Sequence, residues 1–287
     1  MLVLDAFFTK LWQQYCVISP QAVDIHQLFE SSGEELVNDH VAFRTFADSH
    51  IGIDILEDEV LALGYRHLDS YKFDVKKLDA RCYVHDKSPT KIFISELRWK
   101  YLSEASQVII QDIIEQAKST LKSPLLEQSS RGLSPLLSAG RLWKLPSYAD
   151  YQTLAEESEY AAWLSVWGLR ANHFTIFVNH LKNTPELSQV VALLRQQGYQ
   201  LNEAGGVIKG TPSDCLIQAA TMADTCMVDF HDAGEQAISS CYYEFAQRFN
   251  QEDGTLYQGF VPMSADKIFE STNMKSILGS TTSDDES

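Results

Sequence analysis

The sequence predicts an α+β fold of two matched β-α-β-β modules that form a concave sheet, with a helical N-terminal leader and a central helical insertion. The main observation is an internal repeat. A strand-like segment containing a histidine, an amphipathic helical segment and a Gly-Tyr pair follow one another twice. The histidine precedes the glycine by 24 residues from His40 to Gly64, and by 25 residues from His173 to Gly198. Helical periodicity between the two copies separates the modules.

The N-terminal part predicts the helical leader and then module one, at about residues 37–100. Apolar residues recur at helical spacing as far as Tyr15, and Ser19-Pro20 ends that pattern. In module one, Gly64 supplies the left-handed conformation that commonly ends a helix. The predicted elements of this module are a strand at 40–46, a helix at 51–63, and two strands at 80–85 and 91–97.

The central insertion, at about residues 101–165, is predicted from an apolar helical stripe at 103–121 and from the Pro and Gly residues that follow it. Module two follows at about 166–262. A single domain is therefore expected over residues 1–275, and the acidic residues 276–287 are expected to form a disordered tail. The predicted elements of module two are a strand at 171–178, a helix at about 187–197, and strands near 215–220 and 237–245.

Charge and composition exclude several kinds of partner. The chain has 287 residues and a formal net charge of −16, and such an acidic surface repels nucleic acids and anionic membranes. No apolar run approaches the roughly 20 residues of a transmembrane helix, and the first residues do not resemble a secretory signal. The five cysteines are scattered and form no C-x-x-C pair. We therefore expect a cytoplasmic protein that binds neither nucleic acid nor membrane.

Strand periodicity places polar side chains together on single faces of the predicted sheet. Because side chains alternate between faces, His40 shares a face with Arg44, and Glu244 shares one with Arg248. His173 lies opposite the uniformly apolar positions of its own strand. Two imidazoles and one carboxylate are the ligand set of non-heme Fe(II) oxygenases. Histidines buried in a core are the alternative, because a chain with eight histidines offers many such combinations.

Several sequence motifs occur together and in the order typical of one known family. These motifs are Val-Asn-Asp-His-Val-Ala-Phe-Arg-Thr-Phe (37–46), Lys-Ile-Phe-Ile-Ser-Glu-Leu (91–97), Trp-Gly-Leu-Arg-Ala-Asn-His-Phe-Thr (167–175), Tyr-Tyr-Glu-Phe-Ala-Gln-Arg (242–248), and Gly-Phe-Val followed by Ser-Ala-Asp-Lys-Ile-Phe-Glu-Ser-Thr (259–272). With them the chain resembles the 2-oxoadipate dioxygenase/decarboxylase family over about Val37 to Thr272.

The resemblance implies a vicinal oxygen chelate fold like that of hydroxymandelate synthase, in agreement with the paired modules. It also implies that His40, His173 and Glu244 bind Fe(II), and that Arg44 binds a substrate carboxylate with His40 beside the substrate. The chain is similar to the short branch of the family, so substrate contacts of the extra segment in longer bacterial members do not transfer. Glu96 is expected to support the metal ligands from behind or to pair with an arginine, rather than to bind the metal.

The resemblance further implies an activity in lysine catabolism, the conversion of 2-oxoadipate and O2 to 2-hydroxyglutarate and CO2. Zinc or nickel can replace iron in a crystal, because affinity order does not favour Fe(II). Two other functions stay open: a metal-dependent isomerase or lyase of the same superfamily, which consumes no oxygen, and a non-catalytic binding module. An intact ligand set argues against the second. The exact 2-oxo acid, the native metal and the oligomeric state are left open.

Overall fold

The computed structural model describes residues 2–122 and 136–273, and the chain divides into two units. Unit 1 comprises Met1–Val17, His40–His173 and Met227–Ala237. Unit 2 comprises Ile18–Asp39, Phe174–Cys226 and Ile238–Ser287. The predicted tail at 276–287 and the Pro and Gly signals at 123–135 lie outside the described residues, and the single domain over 1–275 stays a prediction.

The described residues form a mixture of helices and strands, as the predicted α+β class requires. In chain order these elements are α1 (Leu2–Ile18), α2 (Pro20–Ser31), β1 (Asn38–Phe46), α3 (Ile53–Ala62), β2 (Arg66–Phe73), β3 (Leu78–His85), β4 (Ser88–Leu97), α4 (Glu104–Leu121), α5 (Tyr148–Glu157), α6 (Glu159–Trp167), β5 (Ala171–Phe177), α7 (Leu187–Gln196), β6 (Leu216–Ala220), β7 (Thr225–Phe230), β8 (Gly234–Ser239), β9 (Tyr242–Arg248) and α8 (Pro262–Ile268).

The sheet of unit 1 has the strand order β2-β3-β4-β1, followed by the beginning of β5. Strand β1 runs parallel to β4, and α3 with the β2–β3 pair forms the crossover that parallel neighbours require. The register places His40 opposite Lys91 and Arg44 opposite Ser95, so these four side chains share one face of the sheet.

Helices of unit 1 bury the apolar stripes that the sequence predicts. Helix α3 buries Ile53, Leu56 and Val60, and Gly64 follows it with φ +92°, which confirms the predicted helix end. Helix α4 begins at the N-cap Ser103, whose hydroxyl accepts a hydrogen bond from Ser106 N. Its buried residues are Ser106, Ile110, Ile113, Ile114 and Ala117.

Unit 2 contains the rest of β5, followed in the sheet by β9 and β6. Strands β6 and β9 are antiparallel, with Gln218 opposite Ala246 and Ala220 opposite Glu244. All seven residues of β9 are buried, so its polar side chains need partners inside the protein. Helix α7 buries Leu187, Val190, Val191 and Leu194 on one face, which confirms the predicted amphipathic helix.

Three strand assignments differ from the sequence prediction. Strand β2 and the separate two-stranded sheet β7-β8 were not predicted, because both contain mostly exposed or half-exposed residues and lack an apolar alternation. The predicted strand at 237–245 is two strands, since β8 ends at Ser239 and β9 begins at Tyr242. Module one is therefore β-α-β-β-β, and module two contains an inserted hairpin.

No helix within residues 2–122 and 136–273 is long and apolar enough to cross a membrane.

Candidate metal centre

Two histidine side chains are in contact in unit 1. His40 lies near the start of β1 and His173 near the start of β5, and both side chains are buried. Their Nε2 atoms are 3.3 Å apart, and the two rings meet nearly at right angles, at 87°. Two nitrogens at this distance cannot both carry a proton on the line between them. At least one of these two Nε2 atoms therefore carries a lone pair instead of a proton.

The surroundings of His173 favour a neutral ring with a lone pair on Nε2. Its Nδ1–H donates a hydrogen bond to Asn172 Oδ1 at 3.1 Å, which assigns the proton to Nδ1. Burial lowers the pKa of His173 well below its usual range, and the nearby charges of His40 and Arg44 lower it further. Neutral imidazole is the form that binds metals.

Glu244 is a buried carboxyl group in unit 2. Gln218 Nε2 donates a hydrogen bond to Glu244 Oε1 at 2.5 Å. Burial raises the pKa of Glu244 to about 8, against the lowering effect of the Gln218 bond, and the negative charge of Asp39 raises it too. A carboxyl group in such surroundings is ionised more readily when a cation is bound to it.

Potential ligand atoms of His40, His173 and Glu244 all lie within 4.8 Å of one another, and all three residues are buried. Within residues 2–122 and 136–273, no other group of three or more His, Cys, Asp or Glu side chains has this property. Two ligand atoms about 2.1 Å from one ion, at an angle of about 90° to 110°, are about 3.0 to 3.4 Å apart. The 3.3 Å between the imidazoles fits that spacing, and the donor set fits a non-heme iron site.

Arg44 extends from the same strand face as His40 and is almost fully buried. Its Nη1 donates to Glu159 Oε1 at 2.8 Å, at the start of α6. The guanidinium carbon lies 4.8 Å from the ring centroid of Tyr160 and 5.0 Å from that of Trp163. The two aromatic rings hold the planar group by cation–π contact, and Glu159 supplies a counter-charge.

Glu96 does not accompany the two histidines. It lies opposite Thr45 in the β1–β4 register and therefore on the other face of the sheet from His40 and Arg44. There its Oε2 accepts a hydrogen bond from Ile53 N at 2.9 Å, in the first turn of α3. This position corrects the expectation that Glu96 supports the metal ligands, because its carboxylate serves a helix terminus instead.

The sequence did not predict the roles of Asn172 and Gln218 or the buried pair of Asp39 with Arg248. Arg248 donates from Nε and Nη2 to the two carboxylate oxygens of Asp39, at 2.6 and 2.8 Å. A signal was present in each case. Asp39 and Asn172 immediately precede the two histidines, and Gln218 is the one polar residue of the strand Leu-Ile-Gln-Ala-Ala.

Sequence comparison identifies relatives along most of the chain. The family model for 2-oxoadipate dioxygenase/decarboxylase matches residues 13–252. A relative from Oryza sativa, named 2-oxoadipate dioxygenase/decarboxylase, chloroplastic/amyloplastic, is 33% identical over 298 residues. That alignment covers 94% of this chain and 79% of the relative.

Similar folds occur among solved structures. The crystal structure of hydroxyglutarate synthase from Oryza sativa in complex with 2-oxoadipate has a TM-score of 0.83 at 31% identity, and the match covers 95% of this chain and 93% of that one. A protein from Shewanella frigidimarina, solved under the name of a hydrolase, has a TM-score of 0.80 at 39% identity, with 90% and 97% covered.

A glyoxalase superfamily protein from Ralstonia eutropha has a TM-score of 0.71 at 20% identity, with 90% and 85% covered. Together with the two modules described above, these likenesses confirm the predicted α+β class and the vicinal oxygen chelate type of fold.

Proposed function

The chain belongs to the 2-oxoadipate dioxygenase/decarboxylase family, and from that premise we propose that it is an Fe(II)-dependent oxygenase acting on 2-oxoadipate. The reaction takes 2-oxoadipate and O2 and yields 2-hydroxyglutarate and CO2. It balances without a further reductant, because the C1 carboxylate leaves as CO2 and both atoms of O2 enter the products. The observation that carries the proposal is the convergence of His40, His173 and Glu244 in a member of this family.

His40, His173 and Glu244 hold the iron. Three protein ligands leave coordination positions open, and the bound ion supplies chelation of the 2-oxo acid and the redox chemistry with O2. Burial and the nearby charge of Arg44 lower the pKa of His173, so its ring is uncharged, which is the form that binds a metal. Support comes from the donor set and from the 3.3 Å spacing of the imidazoles.

Arg44 binds a carboxylate of the substrate. A guanidinium stays charged when it is removed from water and offers paired N–H donors to the two oxygens of a carboxylate. The rings of Tyr160 and Trp163 orient this group, and Glu159 keeps it paired when no substrate is bound. Because the chain has a net charge of −16, a buried cation gives an anionic substrate a local site of attraction.

Five cysteines without a disulfide support a reducing compartment, and the cytoplasm stays our proposed location. The name of the relative from Oryza sativa includes the words chloroplastic/amyloplastic.

The test is anaerobic reconstitution of the purified protein with Fe(II), followed by oxygen uptake against a panel of 2-oxo acids. We expect stoichiometric consumption of O2 and 2-oxoadipate, with 2-hydroxyglutarate and CO2 as products. His173→Ala and Glu244→Ala should abolish metal binding and turnover, while thermal stability changes little, since an open catalytic site need not support the fold.

Two outcomes would overturn the proposal. An active His173→Ala enzyme would show that His173 is not a ligand. Turnover of a substrate by the metal-loaded enzyme without O2 consumption would instead indicate an isomerase or lyase that uses the metal as a Lewis acid.

A further inference from the structure

Two buried carboxamide side chains each contact one residue of the candidate metal centre. Asn172 Oδ1 accepts the hydrogen bond of His173 Nδ1, and Gln218 Nε2 donates to Glu244 Oε1. Asn172 is 1% exposed and Gln218 is 2% exposed, so water does not compete for either bond. The two amides lie in different units, and each acts within its own.

We propose that Asn172 and Gln218 are positioning residues that hold His173 and Glu244 in the forms that bind the metal. This inference rests on the proposed function, because it takes both residues as metal ligands. A ligating histidine typically donates its second ring N–H to a neighbouring acceptor, which fixes the tautomer and the ring orientation, and ligating carboxylates are also hydrogen-bonded.

Asn172 assigns the tautomer of His173. Its carbonyl oxygen can only accept, so the ring proton must lie on Nδ1, and the lone pair is left on Nε2. That Nε2 is the atom 3.3 Å from His40 Nε2. An acceptor is therefore required at position 172, whereas the amide nitrogen of Asn172 is not.

Gln218 orients the carboxylate of Glu244. In the β6–β9 register Gln218 lies opposite Ala246, which makes it a diagonal neighbour of Glu244 on the same sheet face. Its N–H donates to Oε1, so the rotation of the carboxylate is restricted. A donor is therefore required at position 218.

The second polar atom of each carboxamide indicates that packing alone does not explain an amide at either position. Among the described residues, Asn172 Nδ2 and Gln218 Oε1 are buried and have no hydrogen-bond partner. An unpaired buried polar atom costs stability, so an apolar side chain would suit either position better if packing alone mattered. The hydrogen bond to the metal ligand is the compensating gain.

The test compares metal affinity and stability in matched variants. Metal-free protein is titrated with Co²⁺, whose visible absorption reports the coordination, and thermal unfolding is measured without metal. Asn172→Ala and Gln218→Met should weaken Co²⁺ binding about 10- to 100-fold, the usual effect of losing such a partner. Asn172→Asp keeps the acceptor and should bind more tightly than Asn172→Ala. If Asn172→Ala does not fold, Asn172→Leu serves as an isostere without an acceptor.

Controls come from buried amides elsewhere in unit 2. Asn202 donates to Lys267 O and Ser271 Oγ, and Gln247 accepts from Leu187 N. Asn202→Ala and Gln247→Met can change the unfolding temperature but should leave Co²⁺ affinity unchanged. Affinity equal to that of the parent in a folded Asn172→Ala or Gln218→Met variant overturns the assignment for that residue. A parent protein that binds no Co²⁺, or a His173→Ala variant that binds it equally well, refutes the metal site itself.

Discussion

Arg44 on β1 and Arg248 on β9 are both buried arginines, but they have different surroundings. Each follows a proposed metal ligand by four residues on the same strand face, Arg44 after His40 and Arg248 after Glu244. Each is 1% exposed. On the strand pattern alone, the two arginines are equivalent candidates for binding an anionic substrate.

Fixed protein groups surround Arg248. Its Nε and Nη2 form a fork with the carboxylate of Asp39, and Nη1 donates to the carbonyl oxygens of Tyr257 and Gly259 at 3.2 and 2.7 Å. The side chains of the ion pair are both 0% exposed. A charge enclosed in this way is structural, because a substrate could reach it only by breaking several hydrogen bonds within the protein.

Arg44 has a carboxylate partner that reaches water. The side chain of Glu159 is 25% exposed and contributes one bond to Arg44 Nη1, while aromatic rings cover the guanidinium. Solvent weakens this ion pair, so a substrate carboxylate can compete with Glu159. The accessibility of the partner, more than the burial of the arginine, therefore separates a binding charge from a structural one.

The largest effect is expected from Arg248→Met. The change removes the arginine that pairs with the buried Asp39 carboxylate, and breaking such a buried ion pair costs about 3 to 5 kcal/mol of unfolding free energy. Chemical denaturation of the metal-free protein measures this loss. Adding Asp39→Asn removes the buried negative charge and should recover part of the stability. An Arg248→Met variant as stable as the parent would show that the two arginines do not differ in the proposed way.

Arg44→Lys should affect catalysis instead. Lysine keeps the charge but loses the paired donors, so kcat/KM for 2-oxoadipate should fall about 10- to 100-fold, for a charged hydrogen bond worth about 1.5 to 3 kcal/mol. Co²⁺ affinity should be retained. A larger loss on 2-oxoadipate than on a monocarboxylic 2-oxo acid assigns Arg44 to the distal carboxylate, and equal losses assign it to the chelating end. Unchanged kcat/KM would leave Arg44 with a structural role only.

Glu159→Gln should have a smaller effect on both properties. The ion pair contributes about 0 to 1 kcal/mol of stability, because a quarter of the Glu159 side chain is exposed to solvent. The aromatic contacts still orient Arg44, so we expect kcat/KM to change less than about 10-fold, on a scale where about 1.4 kcal/mol is tenfold. Steady-state kinetics of the Glu159→Gln and Arg44→Lys variants, measured side by side, compare their losses in kcat/KM. A loss as large as that of Arg44→Lys would mean that Glu159 cannot be replaced as the partner of Arg44.

The smallest effect is expected from Asp48→Asn, which removes the exposed ion pair with Lys100. The Lys100 Nζ to Asp48 Oδ2 distance is 2.9 Å, but the side chains are 57% and 68% exposed. Asparagine also tolerates the left-handed backbone of position 48, where φ is +50°. The free energy of unfolding should stay within about 0.5 kcal/mol of the parent value. A loss of unfolding free energy comparable to that of Arg248→Met would contradict the expectation that an ion pair contributes more when it is buried.

Much of the fold could be predicted because its signals are local. The apolar stripe of α7, the end of α3 at Gly64 and the break between α1 and α2 at Pro20 are all visible as short-range patterns. Strand alternation also placed the side chains of His40 and Arg44 on one face, as the register confirms. The edge strand β2 was missed because its exposed residues have no reason to alternate.

The sequence by itself determined the two modules, the histidine and glutamate candidates and the faces from which they project. The tertiary structure alone decided which partners those side chains have. Arg44 meets Glu159 across 115 residues of chain, and Arg248 meets Asp39 across 209. Glu96, on a strand next to His40, contacts the start of α3 instead of the metal ligands. Periodicity specifies the direction of a side chain, but a hydrogen-bond partner depends on distances that exist only after distant segments have packed together.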